Sequence, residues 1–262
     1  MNYGFIGCGN MGGALATALS KTTKNIILAN RTAAKAKDLA KQLKVKFGTN
    51  EEAVLNSDAI FLGVKPQMAE GVIDSLRSVI LEKKPIVISM MAGVEIAAIK
   101  KMIGDEKIPV IRILPNTPVA VGEGVIVYCA DKCVKKQDLN QIIKDMSLAG
   151  MMDELDEGLI DAAGALSGCG PAFMYMLMEA LADGGVYCGL PRAKALAYAE
   201  MTMRGAAALA LSSDKHPEQL KDEVCSPKGT TIRGVKVLEK GGFRDSAMTA
   251  VIAAYNHSKR LK

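Results

Sequence analysis

The chain has 262 residues, enough for one large domain or two ordinary ones, and 49% of them are hydrophobic, which is ample for a core. Its 33 basic residues stand against 28 acidic ones, a formal charge of +5, and the densest basic stretches are only KCVKK at 132–136 and the terminal SKRLK. With no Trp and 4% aromatic residues, there is neither a cationic stripe nor a stacking platform, so no nucleic-acid partner is expected.

The N-terminus, MNYGFIGCGNM, enters a strand at once and lacks the basic region and apolar stretch of a secretory leader. Up to about residue 155, short apolar runs alternate with helical patterns: YGFI, NIILA, AIFLGV, PIVISM, PVIRIL and GVIVYC read as strands. Continuous apolar strands separated by amphipathic segments indicate an open α/β domain, a parallel sheet with helices on both faces. One helical stripe is Met11, Ala14, Leu15, Ala18 and Leu19; another is Ala36, Leu39, Ala40 and Leu43.

The first strand runs into Gly7-Cys8-Gly9-Asn10-Met11-Gly12, a G-x-G-x-x-G pattern in its required strand-to-helix setting. Alone the pattern is weak, but the flanking strand, helix and second strand make it a dinucleotide fingerprint, with helix-start amides facing a pyrophosphate. The second strand ends in Ala29-Asn30-Arg31-Thr32, where an enzyme that uses NAD places a carboxylate for the ribose hydroxyls. A guanidinium and a hydroxyl there favour NADP, although Arg31 could also be an ordinary strand-end charge. Two further turns, Gly63-Val64-Lys65-Pro66 and Leu114-Pro115-Asn116-Thr117-Pro118, leave the carboxyl ends of strands and should face the same crevice, or else be merely rigid turns.

After DELDEGLID the pattern becomes helical. PAFMYMLMEALADGGV, 171–186, is apolar on nearly every face and should be buried on all sides, and Pro191 opens a second long helix rich in small residues. A domain this apolar is expected to bury itself against a second subunit. Glu179 with Asp183, and Glu200 with Arg204, interrupt the best candidate membrane spans, so a soluble, cytoplasmic protein without a membrane partner is expected. The six cysteines form no C-x-x-C pair and only His216 and His257 could join them, so no metal site is expected. His216 precedes Pro217 and looks like a helix-start residue. No His, Cys or Lys in the helical half presents itself as a general acid or base. Such a layout suits a substrate that needs little acid catalysis, and a protonated imine, already electrophilic at carbon, is one. Near the end, CSPKGTTIRG turns from loop to helix, so Ser226, Gly229, Thr230 and Thr231 could seat a carboxylate, or a Thr could simply cap the helix.

FIGCGNMG, GVKPQ, SMMAGV, RILPNTPVAVGEG, ALSGCGPAF, EALADGGVYCGLPR and HPEQLKDEVCSPKGTTIRGVKVLEKGGF, in this order, resemble pyrroline-5-carboxylate reductases over nearly the whole chain. The resemblance implies a Rossmann-type NADP-binding domain at 1–156 and an all-helical dimerisation and substrate domain at 157–262. It implies reduction of 1-pyrroline-5-carboxylate to L-proline by NADPH in preference to NADH, the last step of proline biosynthesis, in a homodimer or a larger ring of dimers. The cofactor would lie on Ile6, Gly7, Cys8, Gly9, Asn10 and Met11, with its adenosine phosphate near Asn30, Arg31 and Thr32. Asn50, Gly63, Val64, Lys65, Pro66, Met91 and Ala92 would line the rest of the cleft. Ser226, Gly229 and Thr230 would hold the substrate carboxylate, and Thr231 would meet the ring nitrogen. Asp214 stands where relatives often carry a Glu near that nitrogen, and Lys228 stands where relatives carry Gly, which puts the backbone angle or the charge of that loop in question.

Two other readings compete. Hydroxyacid dehydrogenases share the two-domain plan but use a Lys on the first long helix of the second domain, and none occurs from Pro171 through Gly189. A non-catalytic NADP-binding redox sensor would have no reason to keep a hydroxyl-rich anion seat.

Overall fold

The computed structural model describes residues 1–261; Lys262, the last residue of the expected helical domain, lies outside them. The first half alternates strands and helices: β1 (Tyr3–Ile6), α1 (Asn10–Leu19), β2 (Ile26–Ala29), α2 (Ala33–Leu43), β3 (Lys46–Phe47), α3 (Asn50–Leu55), β4 (Ala59–Leu62), α4 (Ala69–Lys83), β5 (Ile86–Ser89), α5 (Ile96–Ile103) and β6 (Val110–Pro115). β7 (Gly124–Ala130), α6 (Lys136–Asp145), β8 (Gly150–Glu154) and α7 (Glu157–Ala163) follow. A π-helical turn, Gly164–Gly168, leads into the helices α8 (Gly170–Tyr187), α9 (Arg192–Leu211), α10 (Pro217–Val224), α11 (Thr230–Lys240) and α12 (Phe243–Ser258).

The chain forms two compact units, one from Met1 to Cys169 with the C-terminal stretch from Ala254, the other from Gly170 to Ala253. The first is built on one sheet of order β3-β2-β1-β4-β5-β6-β7-β8. Successive residues of a strand point to opposite faces, and both faces are covered. Phe5 joins one core with Leu15, Leu19, Ile88 and Ile111 and stacks on Phe61 with ring centroids 4.4 Å apart. Ile6, next in the strand, joins the other with Ile60, Leu62, Ile73, Ile80 and Ile99. Each such buried side chain is worth about 2 kcal/mol, which is why these strands read as unbroken apolar runs.

The sheet departs from the expected one in two respects. β7 runs antiparallel to β6 while β8 runs parallel to β7, so the sheet is parallel except at one pairing. Two strands, β3 and β8, were not expected; they are its edges, and β3 is exposed at both residues.

In the second unit α8 and α9 pack through Ala182, Ala195 and Ala199 with Val186 beside them, small residues that let two helices approach closely. Burial of 171–186 on all sides is not seen within one chain: Ala182 is the one buried residue of α8, while Met174, Tyr175, Met176, Leu181 and Tyr187 are exposed. The continuous helical run Glu157–Tyr187 is long and apolar enough, by length and composition alone, to cross a membrane. It contains the π turn and four carboxylates, Glu157, Asp161, Glu179 and Asp183. Glu218 pairs with Lys221 and Arg244, and Arg244 reaches Glu239, so α10 and α11 are tied to the start of α12.

Candidate active site

The turn from β1 into α1 is shaped by glycines pressed against backbone. Gly7 has φ of 100°, a region L-residues rarely adopt, and a Cβ there would strike the Gly63 carbonyl. One on Gly12 would strike the Gly7 carbonyl oxygen, and one on Gly63 would lie 2.6 Å from it. Gly9 differs, because a Cβ there meets nothing within 4 Å. Packing within the fold does not require a glycine at that position, whereas a pyrophosphate backing closely onto the loop would. Gly9 is also the N-cap of α1 and no side chain caps the helix, so its first amides and the positive end of its dipole face outward. The residues present therefore fit a bound pyrophosphate.

Two residues of the expected cofactor set are occupied in holding this loop. Asn30 Oδ1 accepts from Cys8 N at 3.2 Å and its Nδ2 donates to Thr32 O at 3.2 Å, joining the glycine turn to the loop after β2. The Cys8 thiol is buried and donates to Ala29 O at 3.5 Å; burial pushes its pKa up to about 11, so it stays a neutral thiol. Arg31 and Thr32 are exposed, and Thr32 precedes α2 without capping it by its side chain. Arg31 has no ion-pair partner among the described residues.

The other segments come from the carboxyl ends of neighbouring strands. Val64, Lys65 and Pro66 follow β4, and Lys65 and Pro66 are exposed. Met91 and Ala92 follow β5, Met91 buried and Ala92 exposed, with Met91 N donating to Ser89 Oγ at 3.3 Å. Asn50 opens α3 behind a capping box of Thr49 and Glu52. The Leu114–Pro118 turn is a rigid one: Asn116 is buried, its Oδ1 accepting from Val125 N at 2.9 Å and its Nδ2 donating to Ser167 O at 3.0 Å.

In the second unit the stretch that opens α11 is a tight turn. Gly229 N donates to Ser226 O at 3.0 Å, Pro227 is its second residue and Lys228, at φ of 62°, its third, the positions a type II turn gives to Pro and Gly. Gly229 is the N-cap, without a side-chain cap, and Thr230 and Thr231 are the first two helical residues. Capping by a Thr is thus not how this helix begins. A Cβ on Gly229 would collide with Ser226 Oγ, which places the serine hydroxyl against the helix start. Among the described residues, the Ser226, Thr230 and Thr231 hydroxyls bond to no other protein group. Open amides, a dipole end and three hydroxyls suit a carboxylate. Asp214 is exposed in the loop before α10, where His216 Nδ1 accepts from Glu218 N at 3.3 Å as a cap. Sequence reasoning missed the fully buried Arg112 of β6, which pairs with Asp161 Oδ1 at 2.5 Å and lies 3.7 Å from Glu157 Oε1. Among the described residues no three His, Cys, Asp or Glu side chains are grouped to hold a metal ion.

Two family models match: NADP oxidoreductase coenzyme F420-dependent over residues 2–93, and pyrroline-5-carboxylate reductase dimerisation over 157–261. The pyrroline-5-carboxylate reductase of Synechocystis sp. is 42% identical, covering 100% of this chain and 98% of the relative, and that of Pisum sativum is 38% identical, covering 98% and 95%. Among solved structures, a pyrroline-5-carboxylate reductase from Coxiella burnetii superposes with a TM-score of 0.90 at 33% identity, over 100% of this chain and 98% of the other. A Plasmodium falciparum pyrroline carboxylate reductase with NADP bound gives 0.89 at 32%, over 99% and 97%. End-to-end similarity of this kind, at up to 42% identity over the whole chain, shows that the chain belongs to the pyrroline-5-carboxylate reductase family.

Proposed function

We propose that the protein reduces 1-pyrroline-5-carboxylate to L-proline with NADPH, the last step of proline biosynthesis. The observation that carries this reading is the uncapped start of α11, where Ser226, Thr230 and Thr231 keep their hydroxyls free. A sensor that only bound NADP would need no such seat. Gly7 to Met11 hold the pyrophosphate, and Arg31 with Thr32 receives the 2′-phosphate, which makes NADPH the preferred form. Asn50, Gly63 to Pro66 and the Met91–Ala92 turn line the rest of the cleft. When bound, NADPH supplies the hydride that the imine carbon accepts. The Ser226 hydroxyl and the Thr230 amide, brought together by the Gly229 N-cap, hold the substrate carboxylate and so fix the ring. Thr231 orients the ring nitrogen, which keeps its proton and becomes the amine of proline. Asp214, exposed in the loop before α10, stands where relatives often carry a Glu, and a negative charge near the ring nitrogen favours the protonated imine.

We place cofactor binding in residues 1–156 and dimerisation with substrate binding in 157–262, supported by the dimerisation model that matches 157–261. A homodimer, assembled further into a ring, would cover the exposed apolar side chains of α8. A cytoplasmic, reducing setting is supported by six cysteines that are all free. Following NADPH absorbance with pyrroline-5-carboxylate as substrate tests the reading. Oxidation dependent on both is expected, and NADPH binding without turnover would favour the sensor.

A further inference from the structure

The buried Arg112 and its carboxylates serve a loop of the cofactor cleft. The sheet order reverses between β1 and β4, and a dinucleotide laid across that reversal has its adenosine half over β1 and β2 and its nicotinamide half over β4 and β5. On the cofactor reading above, the loop leaving β5, residues 90–95, is then the one beside the nicotinamide. Both its ends are tied. Ser89 Oγ accepts from Met91 N at one end, and Oε1 of the partly buried Glu157 accepts from Ile96 N at 2.7 Å at the other, where α5 begins. Between them Gly93 turns the chain at φ of 73°. Arg112 stands beside Ser89 in the β5–β6 register and is fully buried. Its Nη2 donates to Asp161, its Nη1 lies 3.7 Å from the same Glu157 oxygen, and neither Nη1 nor Nε has a hydrogen-bond partner among the described residues. A guanidinium placed in a sheet core at such desolvation cost needs a compensating use, and packing alone would be served by an aliphatic residue. What this one does is hold two carboxylates one turn apart on α7, and one of them anchors the loop.

We infer that Glu157, oriented by Arg112, is a positioning residue for the nicotinamide half of the cofactor: it fixes the far end of the 90–95 loop through Ile96 N–H and touches no ligand itself. The test compares NADP with ADP-ribose 2′-phosphate, which lacks the nicotinamide ring, by calorimetric titration. Glu157→Ala should weaken NADP binding roughly five- to tenfold, the scale of one hydrogen bond, and leave the analogue within about twofold. Glu157→Gln keeps an oxygen that accepts from Ile96 N–H and should restore NADP binding to within about twofold of the wild type. Ile96→Pro gives an independent variant: proline suits the first helical position, Glu95 before it is already extended at φ −79° and ψ 157°, and only the donor and some packing are lost. It should show the same selective loss. Equal weakening of both ligands, unchanged NADP binding in Glu157→Ala, or a Gln variant as weak as the Ala variant overturns the inference. A wild-type protein that binds neither ligand overturns the cofactor reading itself, and this inference with it.

Discussion

Replacing Lys228 by glycine should stabilise the protein. Lys228 holds a left-handed conformation at φ of 62° in the turn before α11, exposed and without an ion partner among the described residues. For a residue with a Cβ that region costs about 1–2 kcal/mol, while glycine gives back about 0.5–1 kcal/mol through its freer unfolded chain. The net gain is about 0.5–1 kcal/mol. In a chain of 262 residues that corresponds to roughly 1–3 °C in melting temperature. Two internal references exist, because Lys44 and Lys84 close α2 and α4 at φ of 56° and 51°, in the unit that does not carry the proposed substrate seat. The three Lys→Gly variants should show similar shifts in urea unfolding at one fixed protein concentration. Michaelis constants for substrate and NADPH should stay unchanged in Lys228→Gly at low and high salt alike. A lower midpoint for Lys228→Gly, with the other two raised, refutes the strain argument. A Michaelis constant that rises more at low salt refutes the idle side chain and shows the ammonium acting on an anion.

Arg31→Ala should lower kcat/KM for NADPH roughly tenfold or more, the equivalent of about 1.5–3 kcal/mol, and hardly change use of NADH; steady-state assays with both cofactors decide, since equal losses would make Arg31 structural. Thr231→Ala should lower turnover while Thr231→Ser retains most of it, and an alanine variant that melts earlier yet turns over normally would contradict the proposed contact with the ring nitrogen. Burial alone would raise the Asp131 carboxyl, but hydrogen bonds from the buried Lys100 at 2.8 Å and from Cys133 outweigh it and hold the carboxyl below its ordinary range. A depressed carboxyl contributes stability above its unfolded value of about 4, and that share is lost as the pH falls through the folded value. Asp131→Asn should therefore cost about 3 kcal/mol at neutral pH in urea unfolding, and the gap from the wild type should close on acidification.

What could be read from the sequence was what burial writes into it. β1, β4 and β5 are buried at every residue, so each stands out as an apolar run. The edges β3 and β8 could not be read this way, because Lys46–Phe47 and Gly150–Glu154 are largely exposed and include charged residues. Strand direction is not carried by apolar patterning, yet a signal existed: only Asn116 to Glu123 join β6 to β7, too few residues for the crossover a parallel pair requires. The glycine turn was legible because a motif and its strand-to-helix setting coincide there. Arg112 was not, for its carboxylate partner Asp161 is 49 residues away in the chain and nothing local marks an arginine in PVIRIL as buried. The solvent-facing side chains of α8 show the limit of composition, which indicates that a segment must be covered but not by what.

The glycine contacts around the β1–α1 turn separate two kinds of loss that random mutagenesis usually confounds. At Gly7, Gly12 and Gly63 the obstacle to a side chain is main-chain carbonyl or α-carbon, which no change of rotamer can move aside. Variants at these positions should disappear from the soluble fraction together with their activity. Gly9 faces open space, so its alanine or serine variant should accumulate to normal abundance while failing to support growth without external proline. In a library scored for both abundance and growth, one glycine of the fingerprint should separate from its neighbours, and the position that does so marks where the cofactor, rather than the fold, sets the requirement.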